Sequence, residues 1–257
     1  MKTGLIATFL ALAAGASPAQ DMADVADMAA GQIVRHSEHV GEMITTMRPR
    51  AETRQGALRD TLRFEPWQML EDLFRDDIVL LMRHGPTDWS SDDPRGVLPT
   101  DCARQRLMTP DGRDRMRDLG ILLAGNGIVP GHILVSEWCR NQQTLEALVE
   151  GIGLVDPGYT ARAEIETDPA ANLLLSLEGA ATVTELRRRI SDWEGSEDGP
   201  LLIISHFTNI AELTEFHVYE GEILVLDPDR HNRVLGYLRL RSAAPDIGHF
   251  DTTVGPR

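Results

Sequence analysis

From Asp77 onward, short apolar runs alternate with amphipathic stretches, a pattern that predicts strands and helices interleaved around a mostly parallel sheet. Ile78 to Met82 reads as the first buried strand, because five consecutive apolar residues suit a strand covered on both faces. A helix is expected from Thr109 to Ala124, with Thr109 as its cap, Pro110 in its first turn and Met116, Leu119, Leu122 and Leu123 on one face. His132 to Val135 reads as a strand and Asn141 to Val149 as a helix. The stretch through Asp168 carries no clear pattern. Thr182 to Trp193 reads as a helix, Leu201 to Ile204 as a second fully apolar strand, and Glu222 to Leu226 and Val234 to Leu240 as closing strands. Together these predict a three-layer α/β/α sandwich over residues 76–257.

The preceding segment, residues 20–75, reads as a helical N-terminal extension. Met22, Val25, Met28 and Ala29 are at helical spacing, Met43, Ile44 and Met47 follow, and Pro66 is expected to open a last short helix from Trp67 to Phe74. Before it, Met1-Lys2, an apolar run from Leu5 to Ala14 and the small residues of Ser17-Pro18-Ala19 read as a removed signal peptide, residues 1–19. That run is shorter than the ~20 apolar residues a bilayer span requires. The expected location is therefore periplasmic or secreted, without stable membrane insertion once the leader is gone.

Export changes the meaning of the cysteines. Cys102 and Cys139 are the only two, and in an oxidising compartment such a pair is either a bridge or two buried thiols. Their spacing matches no zinc motif, and no metal or other cofactor is expected. The 257 residues carry a formal charge of −15, with Lys2 the only lysine, which removes nucleic acid and anionic membrane surfaces as partners. Any anion site must be a local cluster of arginines.

Three short motifs supply such a cluster, each placed just after a predicted strand, where open α/β sheets keep their ligand sites. They are Arg83-His84-Gly85 with Thr87, then Ser136-Glu137-Trp138-Cys139-Arg140 with Thr144, then Ser205-His206. In this order they resemble the histidine phosphatase superfamily, the phosphoglycerate-mutase-like and acid-phosphatase-like enzymes, over roughly Ile78 to Leu240. Cys102 to Gln105, Cys139-Arg140, His206 with Asn209-Ile210, and Gly221-Glu222 look like exported bacterial members.

The residue chemistry agrees with the resemblance. A neutral imidazole held in one tautomer can attack phosphorus, so His84 is the expected nucleophile. A phosphoryl group in transfer spreads charge over three oxygens, and the forked donors of Arg83 and Arg140, with His206, suit them. Thr87 and Arg104 are candidate substrate contacts. For the general acid, acid-phosphatase-like members carry an Asp directly after the second histidine, where this chain has Phe207. Glu222 is the preferred carboxyl, with Asp88 and Glu137 next. A bridge between Cys102 and Cys139 would tie the first loop to Arg140.

The expected activity is hydrolysis of phosphomonoesters, a small phosphate ester or a phosphorylated envelope component, through a phosphohistidine and without metal. A phosphomutase of the same superfamily and a non-catalytic binder of phosphorylated or anionic envelope ligands are the alternatives.

Overall fold

The computed structural model describes residues 33–39, 42–47, 58, 60–66, 70–174 and 176–246. The expected signal peptide and the apolar positions 22–29 lie outside the described residues. The centre of the sheet is four parallel strands: β4 (Val79–Arg83), β5 (His132–Val135), β6 (Glu164–Thr167) and β7 (Leu201–Ser205), in the spatial order β4-β7-β5-β6. Every residue of β4 and β7 is buried, as their unbroken apolar runs require.

Alternate side chains of these two strands go to opposite faces, and each face has its own helical layer. Leu80, Met82, Leu202 and Ile204 pack with α1 (Pro110–Gly125) and α2 (Cys139–Val155) through Met116, Leu119, Leu122, Leu148 and Ile152. Val79, Leu81, Leu201 and Ile203 pack with α4 (Thr184–Ser191) and α5 (Phe207–Thr214) through Leu186, Ile190 and Ile210. A one-turn helix, α3 (Tyr159–Arg162), leads into β6. Burying each such Leu or Ile contributes roughly 1.5–3 kcal/mol, so the sandwich is held from both sides of its central strands. Thr109 caps α1 by accepting from the Gly112 amide, with Pro110 in the first turn.

The other half of the sheet is antiparallel. A hairpin of β8 (Ile223–Asp227) and β9 (Arg233–Leu240) pairs β8 against β4, and β9 continues onto β3 (Leu62–Pro66). Outermost are β2 (Glu42–Met47) and β1 (Ile33–His39). Because β8 runs against β4, the residues before it arrive at the rim where β4 ends; β9 turns back, so the residues after it arrive there too.

The described part of residues 20–75 is therefore not a helical extension but three strands and a short 3-10 turn at Leu70–Phe74. The physical reason is visible in β3, where Leu62 and Phe64, both 1% exposed, alternate with Arg63 and Glu65. That is a strand period, with Pro66 as its last residue, and within the short helix expected from Trp67 to Phe74 the described residues Leu70–Phe74 form a 3-10 helix. Ile33-Val34 and Ile44-Thr45-Thr46 likewise bring β-branched residues into β1 and β2. Among the described residues no helix is long and apolar enough to cross a membrane.

Candidate active site

The ends of β4, β5 and β7 are locked together by backbone bonds. The His84 amide donates to the Ser205 carbonyl at 3.1 Å, the Ser136 amide to Ile204 at 3.1 Å, and the His84 carbonyl accepts from the Gly221 amide at 2.9 Å. Gly85 is required by close approach, since a Cβ there would lie 2.5 Å from Met116 Cγ on α1. Its amide donates to Thr144 Oγ1 at 2.9 Å, which ties the first motif to α2.

Two imidazoles meet on this frame, with ring centroids 5.5 Å apart. His84 Nδ1 is 3.0 Å from the Gly85 carbonyl, which can only accept, so Nδ1 carries the hydrogen and Nε2 the lone pair. His206 is held by its other nitrogen. Ser136 Oγ donates its one hydrogen to Asn172 Oδ1 at 2.9 Å and accepts from the Trp138 amide. At 3.0 Å from His206 Nε2 it must therefore accept that hydrogen as well. Nδ1 of His206 is left buried and without a partner. Burial, then the charges of Arg140 and Arg83, hold both imidazoles well below the ordinary histidine value, so both are neutral.

Three guanidinium groups surround them. Arg83 and Arg140 are 1% and 2% exposed, and burial pushes the Arg140 pKa down to about 10 against the pull of Asp93. Arg140 Nη1 donates to Asp93 Oδ2 at 2.9 Å, and its guanidinium stacks on Trp138 at 4.8 Å. Arg83 Nη1 donates to the Val218 carbonyl and to Asp246 Oδ2, while Nη2 donates to Asp246 Oδ1. Arg106 packs 3.6 Å over the Trp89 ring, and its amide donates to Asp93 Oδ1. The Nε atoms of Arg83, Arg106 and Arg140 are all buried without a partner, as is His206 Nδ1. The three orphaned guanidinium N–H groups, two of them on fully buried cations, are the donors an oxyanion would need.

A third carboxyl stands with them, besides Asp93 and Asp246. Glu220 Oε1 accepts from Thr87 Oγ1 at 2.6 Å and lies 3.7 Å from Arg83 Nη2, and Oε2 accepts from the Thr87 amide. Burial raises its pKa above the ordinary carboxyl value, with Arg83 opposing. Gly221, at φ 81°, turns the chain so that Glu220 and Glu222 point to different partners. Beside the cluster lies a cavity of about 440 Å³ lined in part by Asp93, Trp138, Leu173, Leu174, Leu177 and Thr208.

The structure brings Arg83, His84, Thr87, Arg140 and His206 to one rim. It does not bring Glu222 there: that carboxyl accepts from the Tyr219 amide at 2.7 Å and pairs with Arg239. Glu220, two residues earlier, is the carboxyl beside Arg83 and Thr87. Arg104 is also displaced, on the surface and paired with Asp101, and Arg106 is the arginine at the cluster. The bridge Thr87–Met108 and the bond from the Asp88 amide to the Leu107 carbonyl set that register. Asp88 is exposed and accepts from Ser90, while Glu137 accepts from Asn172. Cys102 and Cys139 form a disulfide. Phe207 lies 5.1 Å from the Arg83 guanidinium and packs against it. Sequence reasoning missed Asp93, Arg106, Ser136 as the histidine anchor, Asn172, Glu220 and Asp246. Of these Ser136 lay within a recognised motif, and Arg106 and Glu220 stood directly beside one.

No family model matches the chain. It is 28% identical over 137 residues to an uncharacterized membrane protein of Saccharomyces cerevisiae, YNL033W, a match covering 47% of this chain. The chain spans about half the length of that relative, 48%. Among solved structures it is similar to the protein histidine phosphatase SixA complexed with tungstate, at 20% identity and TM-score 0.45, covering 62% of this chain and 95% of that one. It is also similar to a mycobacterial glucosyl-3-phosphoglycerate phosphatase, at 17% identity and TM-score 0.37, covering 64% and 97%.

Proposed function

We propose that this protein is a phosphatase that hydrolyses phosphomonoesters through a phosphohistidine at His84. The observation that carries the reading is the set of unpartnered nitrogens of Arg83, Arg106, Arg140 and His206 around an imidazole whose lone pair is fixed on Nε2. In the first step Nε2 attacks phosphorus, the bond to the ester oxygen breaks, and Glu220 gives its proton to the leaving oxygen. Water then attacks the phosphohistidine, Glu220 takes the proton back, and inorganic phosphate leaves. The arginines stabilise the equatorial oxygens in both steps, and His206 takes the proton of the monoanionic phosphate ester onto Nδ1 and hydrogen-bonds it back to a phosphoryl oxygen.

The cavity lined by Trp138, Leu173, Leu174 and Leu177 takes the organic part of the ester. Export belongs to the same reading and is supported by the leader-like N-terminus and by the disulfide, which an oxidising compartment preserves. The test is turnover of an aryl phosphate by the leader-free protein and its His84→Ala variant, with acid quenching to trap an acid-labile phosphoprotein. Equal rates in the two would remove the nucleophile. Phosphate binding without turnover would make the protein a receptor, and phosphoryl return to a second substrate position would make it a mutase.

A further inference from the structure

Arg83 has five N–H donors in a fixed plane, and the structure accounts for three of them. Nη1 spends one on the Val218 carbonyl at 2.8 Å and one on Asp246 Oδ2 at 2.9 Å; Nη2 spends one on Asp246 Oδ1 at 3.1 Å. The end-on fork is thus closed by a carboxylate that reaches the site from the segment after β9. What remains is the side of the guanidinium bearing Nε, which is buried without a partner, and the second Nη2 hydrogen near Glu220.

Arg140 repeats the pattern from a different element. Its Nη1 is held by Asp93 at 2.9 Å, and its Nε is buried without a partner. In both, a carboxylate from a connecting segment bonds the guanidinium end, through both Nη atoms of Arg83 and through Nη1 of Arg140, and leaves Nε unspent. An anion that merely filled the phosphate position would have consumed the donors the phosphoryl group needs. These two leave the same donor free.

We propose that Asp246 is a positioning residue for the phosphatase reaction: it locks the end-on fork of Arg83 so that the Nε side is presented to the transferring phosphoryl group, as Asp93 does for Arg140. The inference rests on the function proposed above and adds the segment 241–246 to the active site. Asp246 touches neither substrate nor the attacking nitrogen; it acts through Arg83. Removing it frees a cation, which favours ground-state anion binding, and loosens the donor needed when charge moves onto the equatorial oxygens. Its signature is therefore a loss in kcat without a rise in KM.

The experiment compares wild type, Asp246→Ala, Asp246→Glu, Arg83→Ala and the double variant Arg83→Ala/Asp246→Ala, with His84→Ala as the control for the parent reading. For Asp246→Ala we expect kcat on an aryl phosphate to fall about tenfold with KM unchanged or lower, and Asp246→Glu to recover part of the loss. Orthovanadate, which adopts the five-coordinate geometry, should bind about tenfold more weakly while inorganic phosphate does not. In the Arg83→Ala background the Asp246→Ala change should cost nothing further. An undiminished or increased kcat in Asp246→Ala would overturn the proposal and make the carboxylate a plug. Equal losses in both backgrounds would overturn it by placing its effect elsewhere, and melting temperatures identify a variant that has not folded. Wild-type turnover that does not depend on His84 would instead sink the parent reading, and this one with it.

Discussion

The ends of β4 and β7 each deliver a histidine that is at most 3% exposed, yet the two are pinned by opposite nitrogens. His84 is held at Nδ1 by a backbone carbonyl one residue away, a contact that needs nothing but the local turn. His206 is held at Nε2 through Ser136, Asn172 and Glu137, a chain of side chains drawn from two other connections. The difference separates two tasks that the same residue type can perform. In the proposed reaction the nucleophile needs a lone pair to offer to phosphorus, and the backbone contact at Nδ1 leaves that lone pair on Nε2. A donor to oxygen needs a hydrogen on the nitrogen facing the anion, which His206 can acquire at Nδ1 because its other nitrogen is committed.

The sharpest way to break this comparison is to delete each imidazole. His84→Ala should lose at least about 10⁴-fold in turnover and all acid-labile phosphoprotein, whereas His206→Ala should lose about 10²- to 10³-fold and still trap label. Equal losses with no label in either would collapse the distinction. Next in size is Glu220→Gln, expected to lower kcat about 10²-fold for a poor leaving group and to remove the alkaline limb of the pH profile.

The profile itself follows from the signs of the shifts. With ordinary values of 6.5 and 4.5, a neutral imidazole and a protonated carboxyl would not coexist. Burial lowers the first and raises the second, which moves the two windows toward each other. Activity should therefore fall at low pH as the nucleophile protonates and at high pH as the Glu220 acid ionises, with the acid limb shifted down and the alkaline limb shifted up relative to ordinary groups. Initial rates across pH, with and without Glu220→Gln, check this.

Smaller is the effect of Ser136→Ala, about tenfold in turnover with phosphoprotein formation retained, since it unpins only His206. The same change should cost about 1–2 kcal/mol in urea unfolding, because it leaves Asn172 and the Trp138 amide short of a partner. Smallest in activity is loss of the disulfide by Cys102→Ser/Cys139→Ser. Turnover should fall only a few-fold, because Gln105 still bonds the Cys139 amide and the Leu98 and Pro99 carbonyls. Stability should fall by about 4 kcal/mol, the chain-entropy value for a separation of 37 residues, read from thermal melts.

Legibility in the sequence followed burial. β4 and β7, covered on both faces, were unbroken apolar runs and fell within a residue of their expected bounds. The edge strand β6, exposed at all four positions, was silent because no burial selects its residues. In the site, residues at or just past a strand end were readable, since their placement follows from the strand: Arg83, His84 and His206, with Arg140 in the first turn of the helix that follows β5. Residues placed by turns were not. Glu220 and Glu222 differ only by which side of Gly221 they occupy, and Arg106 replaces Arg104 through pairing of residues 107–109 with 86–88. Asp93 and Asp246 carry no local pattern, because only the tertiary fold brings them to an arginine.

The β8/β9 hairpin has a consequence of its own. Its near end supplies Glu220 on the way in and Asp246 on the way out, so the acidic partners of Arg83 travel as one cassette. Its far turn, around Pro228–Arg230, lies at the opposite margin of the sheet and can be lengthened, shortened or tagged without reaching the chemistry. Exchanging that single unit would therefore replace both acidic partners of Arg83 together while leaving Arg140 and the two histidines in place.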